Sequence, residues 1–170
     1  MAKEKGSAGA AGNQEKKQVF RVQKVYVKDV SFETPRSTEI FTEQAQWKPE
    51  VKVQLNTENK NIKDDLYECT LMLTVTVELA EKPAYLAEVQ QSGLFTISGF
   101  GKDELAHLLG SYAPSVLFPF IREVVSDLAV KGGFPQMLLD PINFDALYAQ
   151  HVASNKQNAP AQQILQRRPF

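Results

Sequence analysis

His107 lies four residues after Asp103 and three after Glu104, a spacing that a helix turns into neighbouring positions, and it is the one histidine with such acidic neighbours. An imidazole beside a carboxylate is the minimum for general acid–base chemistry. The rest of a catalytic site is missing from the pattern. No serine or cysteine sits in a recognisable nucleophile turn, no glycine-rich phosphate loop follows a strand, and there is neither a His-x-x-x-His pair nor a Cys-x-x-Cys. His107 therefore reads better as a structural or surface helix residue than as a catalyst. The carboxylates of Asp64 and Asp65 pair only by adjacency, and at a turn they are solvated. Cys69, the single cysteine, cannot form an internal disulfide and falls on the apolar parity of a strand, where a thiol acts as a small hydrophobe. Two histidines, His107 and His151, leave little material for a zinc site. No enzyme, no metal and no cofactor is the expectation.

Rings carry more weight here than ionisable groups. Between residues 113 and 148 phenylalanines recur beside prolines, at Phe118-Pro119 and Phe134-Pro135. Each proline fixes its own φ and pushes the preceding residue away from the helical region, so such rings are presented from stiff backbone. Trp47, two residues before Pro49, and Phe134, Phe144 and Tyr148 lie in or next to loops. Any one of them alone is best read as core. Together they exceed what helix and strand stripes require, and an apolar groove lined by them would bind extended peptide with little sequence preference.

The elements that position these rings follow from periodicity. Residues 20–32 read as a strand with a phase change, because Phe20 and Val22 share one parity and Val25 and Val27 the other, as a bulge permits. Residues 50–56 alternate Val51, Val53 and Leu55 against Lys52 and Gln54, and the Asn-Thr-Glu-Asn-Lys-Asn run that follows reads as a hairpin exit. The clearest alternation runs from Tyr67 to Leu79, with Cys69, Leu71, Leu73, Val75 and Val77 on one face. Lys82-Pro83 turns the chain into residues 85–92, where Tyr85, Ala87 and Val89 continue that face and Leu86 falls on the wet side beside Glu88, a candidate contact point.

The period then changes. Residues 102–109 form a short helix, and a longer one begins between Pro114 and Pro119, with Leu117, Phe120, Ile121, Val124, Val125, Leu128 and Ala129 as its apolar stripe. Gly132-Gly133 stops it, and Asn143 caps a last helix from Phe144 to about Val152. Strands followed by helices predict an α+β fold, a four-stranded antiparallel sheet with helices on one face.

Length allows one domain with tails: a disordered extension over residues 1–18, the domain over 19–153, and a flexible tail over 154–170. Of 19 basic and 20 acidic residues, the first eighteen positions hold four lysines and two glutamates. Positions 152–170 hold three basic residues and no acid, which leaves 12 basic and 18 acidic side chains, net -6, for residues 19–151. An acidic body disfavours nucleic acid and attracts basic partners. No apolar run has membrane-spanning length and the first eighteen residues lack the apolar centre of a secretory signal, so a cytoplasmic location is expected, without membrane insertion.

Pro49-Glu50-Val51-Lys52, Glu88-Val89-Gln90-Gln91-x-Gly93-x-Phe95, Ala106-His107-x-Leu109-Gly110-x-Tyr112 and Leu117-Phe118-Pro119-Phe120-x-Arg122-Glu123 stand in order along the chain. Phe134-Pro135-Gln136 and then Pro141-Ile142-Asn143-Phe144-Asp145-Ala146-Leu147 follow. In these motifs residues 20–152 strongly resemble the SecB family of bacterial export chaperones. The resemblance implies an ATP-independent holdase, a homotetramer built as a dimer of dimers, that keeps unfolded precursor proteins translocation-competent and passes them to the motor ATPase SecA. It implies SecA-binding positions at Asp29, Glu33, Leu86 and Glu88. It implies a client groove lined by Trp47, Tyr85, Phe134, Met137, Leu139 and Tyr148, and a strand region important for tetramer assembly at Ala87, Val89 and Gln91. Tyr85 and Tyr148 stand where phenylalanine is familiar, the N-terminal extension is longer and more basic than usual, and the tail Gln166-Arg167-Arg168-Pro169-Phe170 is basic where familiar tails are often acidic. Two other readings are a SecB-like chaperone dedicated to one client, such as an antitoxin, and a small-ligand-binding protein or enzyme in which His107 works with Asp103 or Glu104.

Overall fold

The computed structural model describes residues 17–43 and 46–165, with side chains through residue 155. Residues 1–16 of the expected N-terminal extension and 166–170 of the expected tail lie outside the described residues. Four strands, β1 (Val19–Glu33), β2 (Glu50–Lys63), β3 (Leu66–Leu79) and β4 (Lys82–Ser98), form one antiparallel sheet in the order β1-β4-β3-β2. Helices α1 (Ser37–Thr42), α2 (Lys102–His107), α3 (Ala113–Lys131) and α4 (Phe144–Leu165) complete the order, with a π-helical turn at Leu108–Tyr112 joining α2 to α3.

The alternation in β3 sets the core. Cys69, Leu71, Leu73, Val75 and Val77 are buried, as are Tyr85, Ala87, Val89, Phe95 and Ile97 on β4, and α3 lays Leu117, Ile121, Val125 and Ala129 against them. Successive side chains of a strand point to opposite faces, so one continuous apolar face meets one helical stripe. Phe118 completes the stripe beside Phe144, whereas Phe120, expected inside, is exposed. Two rings two residues apart sit on opposite sides of a helix, and only one can face the sheet. The backbones meet at Gly93: a Cβ there would lie 2.6 Å from the Phe95 ring and 2.9 Å from Leu117.

Local expectations are corrected at several points. β1 carries two bulges, at the register shifts between Val22 and Lys24 and between Val27 and Asp29, instead of one. The asparagine-rich run is no hairpin exit: β2 continues to Lys63 and turns at Asp64-Asp65, with Asp64 at φ 49°. Pairing with β3 outweighs the low strand propensity of asparagine. The next turn is at Ala80 and Glu81, both at positive φ, and Lys82-Pro83 already belongs to β4. Pro119 lies inside α3, which starts at Ala113 and runs continuously from the π turn. Asn143 caps α4 as expected, its Oδ1 accepting the Ala146 N–H at 3.0 Å, but the helix runs to Leu165, past the expected end near Val152. Alanine and glutamine, both good helix formers, supply six of the thirteen added residues, against Asn155, Asn158 and Pro160, which disfavour helix.

Because Gly93 has no room for a methyl group, Gly93→Ala is expected to destabilise the fold by about 1–3 kcal/mol through overpacking. A urea unfolding midpoint measured at fixed protein concentration checks it, and an unchanged midpoint would show that Leu117 yields freely.

Candidate functional site: an aromatic-ended groove along β2

The C-terminal end of α3 builds one end of the site. Gly133 takes φ 84°, and the Phe134 N–H donates to the Ala129 carbonyl at 3.0 Å, so the chain reverses sharply and Phe134 is driven inward. Its ring gathers Tyr85 at 4.8 Å, Phe41 at 5.1 Å and Trp47 at 5.5 Å between centroids, and Phe32 lies 5.3 Å from Tyr85. Each of these five rings has a face or edge against a neighbour. Phe41 remains 53% exposed. Leu139 is buried and Met137 half-buried against the same core. The Tyr85 hydroxyl is buried without a partner among the described residues, and burial pushes it up to about 12.

From this cluster an apolar strip runs along β2 on the helix side of the sheet. Val51, paired with Val77, is 43% exposed, and Val53, paired with Val75, is 44% exposed. Leu55 follows, and beyond it a cavity of about 550 Å³ opens between β2 and α4, lined by Leu55, Thr57, Asn59, Leu109, Gly110, Phe144, Leu147, Tyr148 and His151 among others. Tyr148 is thus not part of the aromatic cluster. It packs on Gly110, where a Cβ would come within 2.5 Å of its ring, and meets His107 edge-on at 5.3 Å. Val51 to Asn59 spans eight residue steps, about 27 Å of groove.

The acid–base candidate resolves into an anchor. Glu104 accepts the Gly101 N–H at 3.0 Å and so helps start α2, while His107 Nε2 meets Asp145 Oδ1 at 2.8 Å and the Ser111 hydroxyl donates to that same oxygen at 2.5 Å. The carboxylate stands between serine and histidine, so the imidazole does not contact the Ser111 hydroxyl and the order of a Ser-His-Asp triad is not formed. The three side chains instead pin the first turn of α4. The Cys69 thiol is pushed up to about 12 by burial, which keeps it protonated and unreactive.

The opposite face of the sheet is open and polar. The Tyr26 hydroxyl and Lys28 Nζ both donate to Glu68, the latter at 3.0 Å, and Thr70 and Ser92 hydroxyls share a buried hydrogen bond of 2.8 Å. At one corner Asp29 lies opposite Gln90, Ser31 opposite Glu88, and Glu33 opposite Leu86. Asp29, Glu33, Leu86 and Glu88 are therefore brought onto one face within a few rungs, with the three carboxylates exposed. Ala87, Val89 and Gln91 point the other way and are buried beneath α3. Phe32 and Phe41 are the groove rings that sequence reading missed. Phe32 reaches the core face through the second bulge, and the only local signal for Phe41 was its place after Pro35 in a short polar helix.

Comparison with known proteins follows this geometry. The family described as preprotein translocase subunit SecB matches residues 13–155. The protein-export protein SecB of Nitrosococcus oceani is 52% identical over 145 residues, covering 85% of this chain and 88% of that one. That of Methylococcus capsulatus is 54% identical over 147 residues, covering 86% and 94%. Among solved structures, a SecB-like chaperone of Mycobacterium tuberculosis, in complex with a ChAD peptide from the HigA1 antitoxin, superposes with a TM-score of 0.60 over 72% of this chain and 90% of that one. Its 13% identity speaks for the fold alone.

The Ser111 hydroxyl first, and His107 second, hold the Asp145 carboxyl below its usual value. The unfolded chain therefore takes up that proton at a higher pH than the folded one, and the stabilisation is complete above about pH 4 and lost as acid reaches the folded value. Asp145→Asn is expected to lower the urea midpoint at neutral pH, with the gap to the parent closing in acid. A gap that persists unchanged at low pH would assign the effect to packing instead of charge.

Proposed function

The chain belongs to the SecB family of protein-export chaperones, and we propose that it works as an ATP-independent cytoplasmic holdase for unfolded precursor proteins. In this reading, extended apolar stretches are buried in the groove along β2, which keeps them translocation-competent. The observation that carries the reading is the uncovered strip itself: Phe41, Val51 and Val53 are large apolar residues left in water in line with a ring cluster at one end and a cavity at the other. Exposed apolar surface arranged as a lined channel marks a binding site, and ring faces accept many side chains. The SecB family is not an enzyme family, and burial alone needs neither a cofactor nor a nucleotide.

Each groove contact is weak, so holding depends on several grooves in one assembly. A homotetramer arranged as a dimer of dimers needs two different interfaces. Two further apolar surfaces are available, Val22, Val27 and Val30 on β1, and Phe120 and Val130 on the outside of α3. Ala87, Val89 and Gln91, being buried under α3, would influence assembly by setting how that helix is seated. Release to SecA is assigned to Asp29, Glu33, Leu86 and Glu88, an acidic corner with one apolar anchor that suits a basic partner and is separated from the groove by the thickness of the sheet.

The purified protein is expected to delay aggregation of a slowly folding client at stoichiometric amounts, and Phe41→Ser to raise the amount required while leaving the unfolding midpoint nearly unchanged, because that ring is mostly exposed. Absence of any delay by the parent protein would overturn the reading. Glu88→Lys is expected to weaken SecA association, most at low salt, with client binding intact. Equal loss of both activities, measured by titration with each partner, would mean that the two surfaces are not separate.

A further inference from the structure

The open face of the sheet changes sign along its length. Its side chains fall into rungs whose order the register gives. At the acidic corner Glu33 stands beside Leu86, Ser31 beside Glu88, and Asp29 beside Gln90. Two rungs beyond Asp29, past Tyr26 and Ser92, Lys24 lies opposite Leu94, with Lys60 of β2 in the same rung, and Arg21 lies opposite Thr96 in the next. The first bulge keeps this end in phase. Gln23 is its extra residue, with Nε2 donating to Thr96 Oγ1 at 2.9 Å, so Arg21 and Lys24 share the open face although three positions separate them. Lys28 and Lys52 are already paired, with Glu68 at 3.0 Å and Glu78 at 2.7 Å. Among the described residues Arg21, Lys24, Asp29, Glu33 and Glu88 have no ion-pair partner, and all five are exposed.

We propose that this face docks on the same face of a second copy of the chain, the two related by a twofold axis that lies in the interface and runs across the strands. Such an axis lays β1 on β1 with its direction reversed, and every contact occurs twice. Glu33 then covers Arg21, the rung of Ser31 and Glu88 covers the rung of Lys24 and Leu94, and Asp29 covers Tyr26 beside Lys28. A twofold along the strands would set acidic rungs on acidic rungs, so the charges select the first arrangement. The middle of the face does not oppose closure. There β3 and β4 present Thr70, Met72, Gln90 and Ser92, none of them charged, and the Thr70 and Ser92 hydroxyls already bond each other at 2.8 Å. β2 and β3 are each 14 residues long, which gives the sheet a footprint of about 19 by 46 Å, close to the roughly 800 Å² per partner of a standard specific interface. The whole chain carries a net charge of only -1, so long-range repulsion between copies is small. The apolar surfaces assigned to the tetramer lie on the helix side of β1 and outside α3, and this contact uses neither. It joins one assembly to another. Because it covers Asp29, Glu33 and Glu88, self-docking excludes a basic partner from the acidic corner. That consequence rests on the assignment of the corner to SecA, whereas the self-association does not.

Sedimentation velocity on the full-length protein tests it, with the species present at about 1 M salt, where charges are screened within about 3 Å, as the reference. At an ionic strength of about 0.01 M, where the screening length is about 30 Å, larger species are expected, with a dissociation constant at least about tenfold lower than at 0.15 M. Arg21→Glu with Lys24→Glu makes both ends of the face acidic, and Glu33→Lys with Glu88→Lys makes both ends basic. Each double variant alone is expected to lose the larger species, and an equimolar mixture of the two to recover them. A parent protein that keeps one mass at every salt concentration overturns the proposal. Larger species that ignore salt, or that persist in either variant alone, overturn it too. So does a mixture of folded variants that fails to recover them, the fold of each being checked by its urea midpoint, since all four substituted side chains are exposed. SecA added at low salt is expected to reduce the larger species. SecA that binds while they persist places the contact on another surface and overturns the proposal, whereas SecA that binds nowhere on the protein counts against the assignment of the corner and leaves the self-docking supported by the mixture.

Discussion

One helix cannot cover four strands. A helix with its side chains is about 10–12 Å across, whereas four strands at about 4.8 Å spacing present a face close to 19 Å wide. α3 is seated over β4 and β3, where Gly93 lets it approach, and everything buried most deeply lies beneath it. The apolar parity of the sheet nevertheless continues outward onto β2 and β1. The valines left over there, Val51 and Val53 on one side and Val22, Val27 and Val30 on the other, are the direct consequence of that mismatch. In an ordinary monomer such a remainder would be a liability. Here one side acquires walls, from Trp47 and Phe134 at one end and α4 at the other, and becomes a channel.

The bulge at Lys28 does two jobs with one extra residue. Without it the parity of β1 would place Asp29, Ser31 and Glu33 toward the helix layer and Val30 and Phe32 in solvent. With it, Phe32 reaches Tyr85 and closes the ring cluster, and the carboxylates of Asp29 and Glu33 join Glu88 on the open face. The groove wall and the acidic corner are therefore coupled through backbone geometry: a deletion of one residue in this part of β1 exchanges the faces of everything that follows it.

How much of this the sequence revealed depends on whether a feature is local. Strict alternation in β3 named Cys69, Leu71, Leu73, Val75 and Val77 as buried, and Asn143 declared the start of α4, because a parity and a cap need no knowledge of the rest of the chain. The inward position of Phe118 over Phe120 was hidden, since two rings on one helix compete for a place that only the packed partner decides. The asparagine-rich half of β2 was hidden for the same reason: its propensity points to a turn, and its pairing with β3 overrides it. Tyr148 shows the limit for the candidate site. Its ring suited a groove wall on paper, and its place beside Gly110 and His107, far along the strip from Phe134, follows from the seating of α4. Asp145 was invisible as a partner of His107 because the two are 38 residues apart and are joined only by that seating.

The same sheet keeps the two surfaces of the protein distinct. Along β4, Tyr85 faces the ring cluster, Leu86 the open acidic corner, Ala87 the core and Glu88 the acidic corner again. Residues that differ by one position thus serve opposite faces, and the boundary between them is a hydrogen-bonded ladder paired on both sides, which does not bend easily to side-chain contacts on either face. A side chain packed against one face therefore has little leverage on the carboxylates of the other.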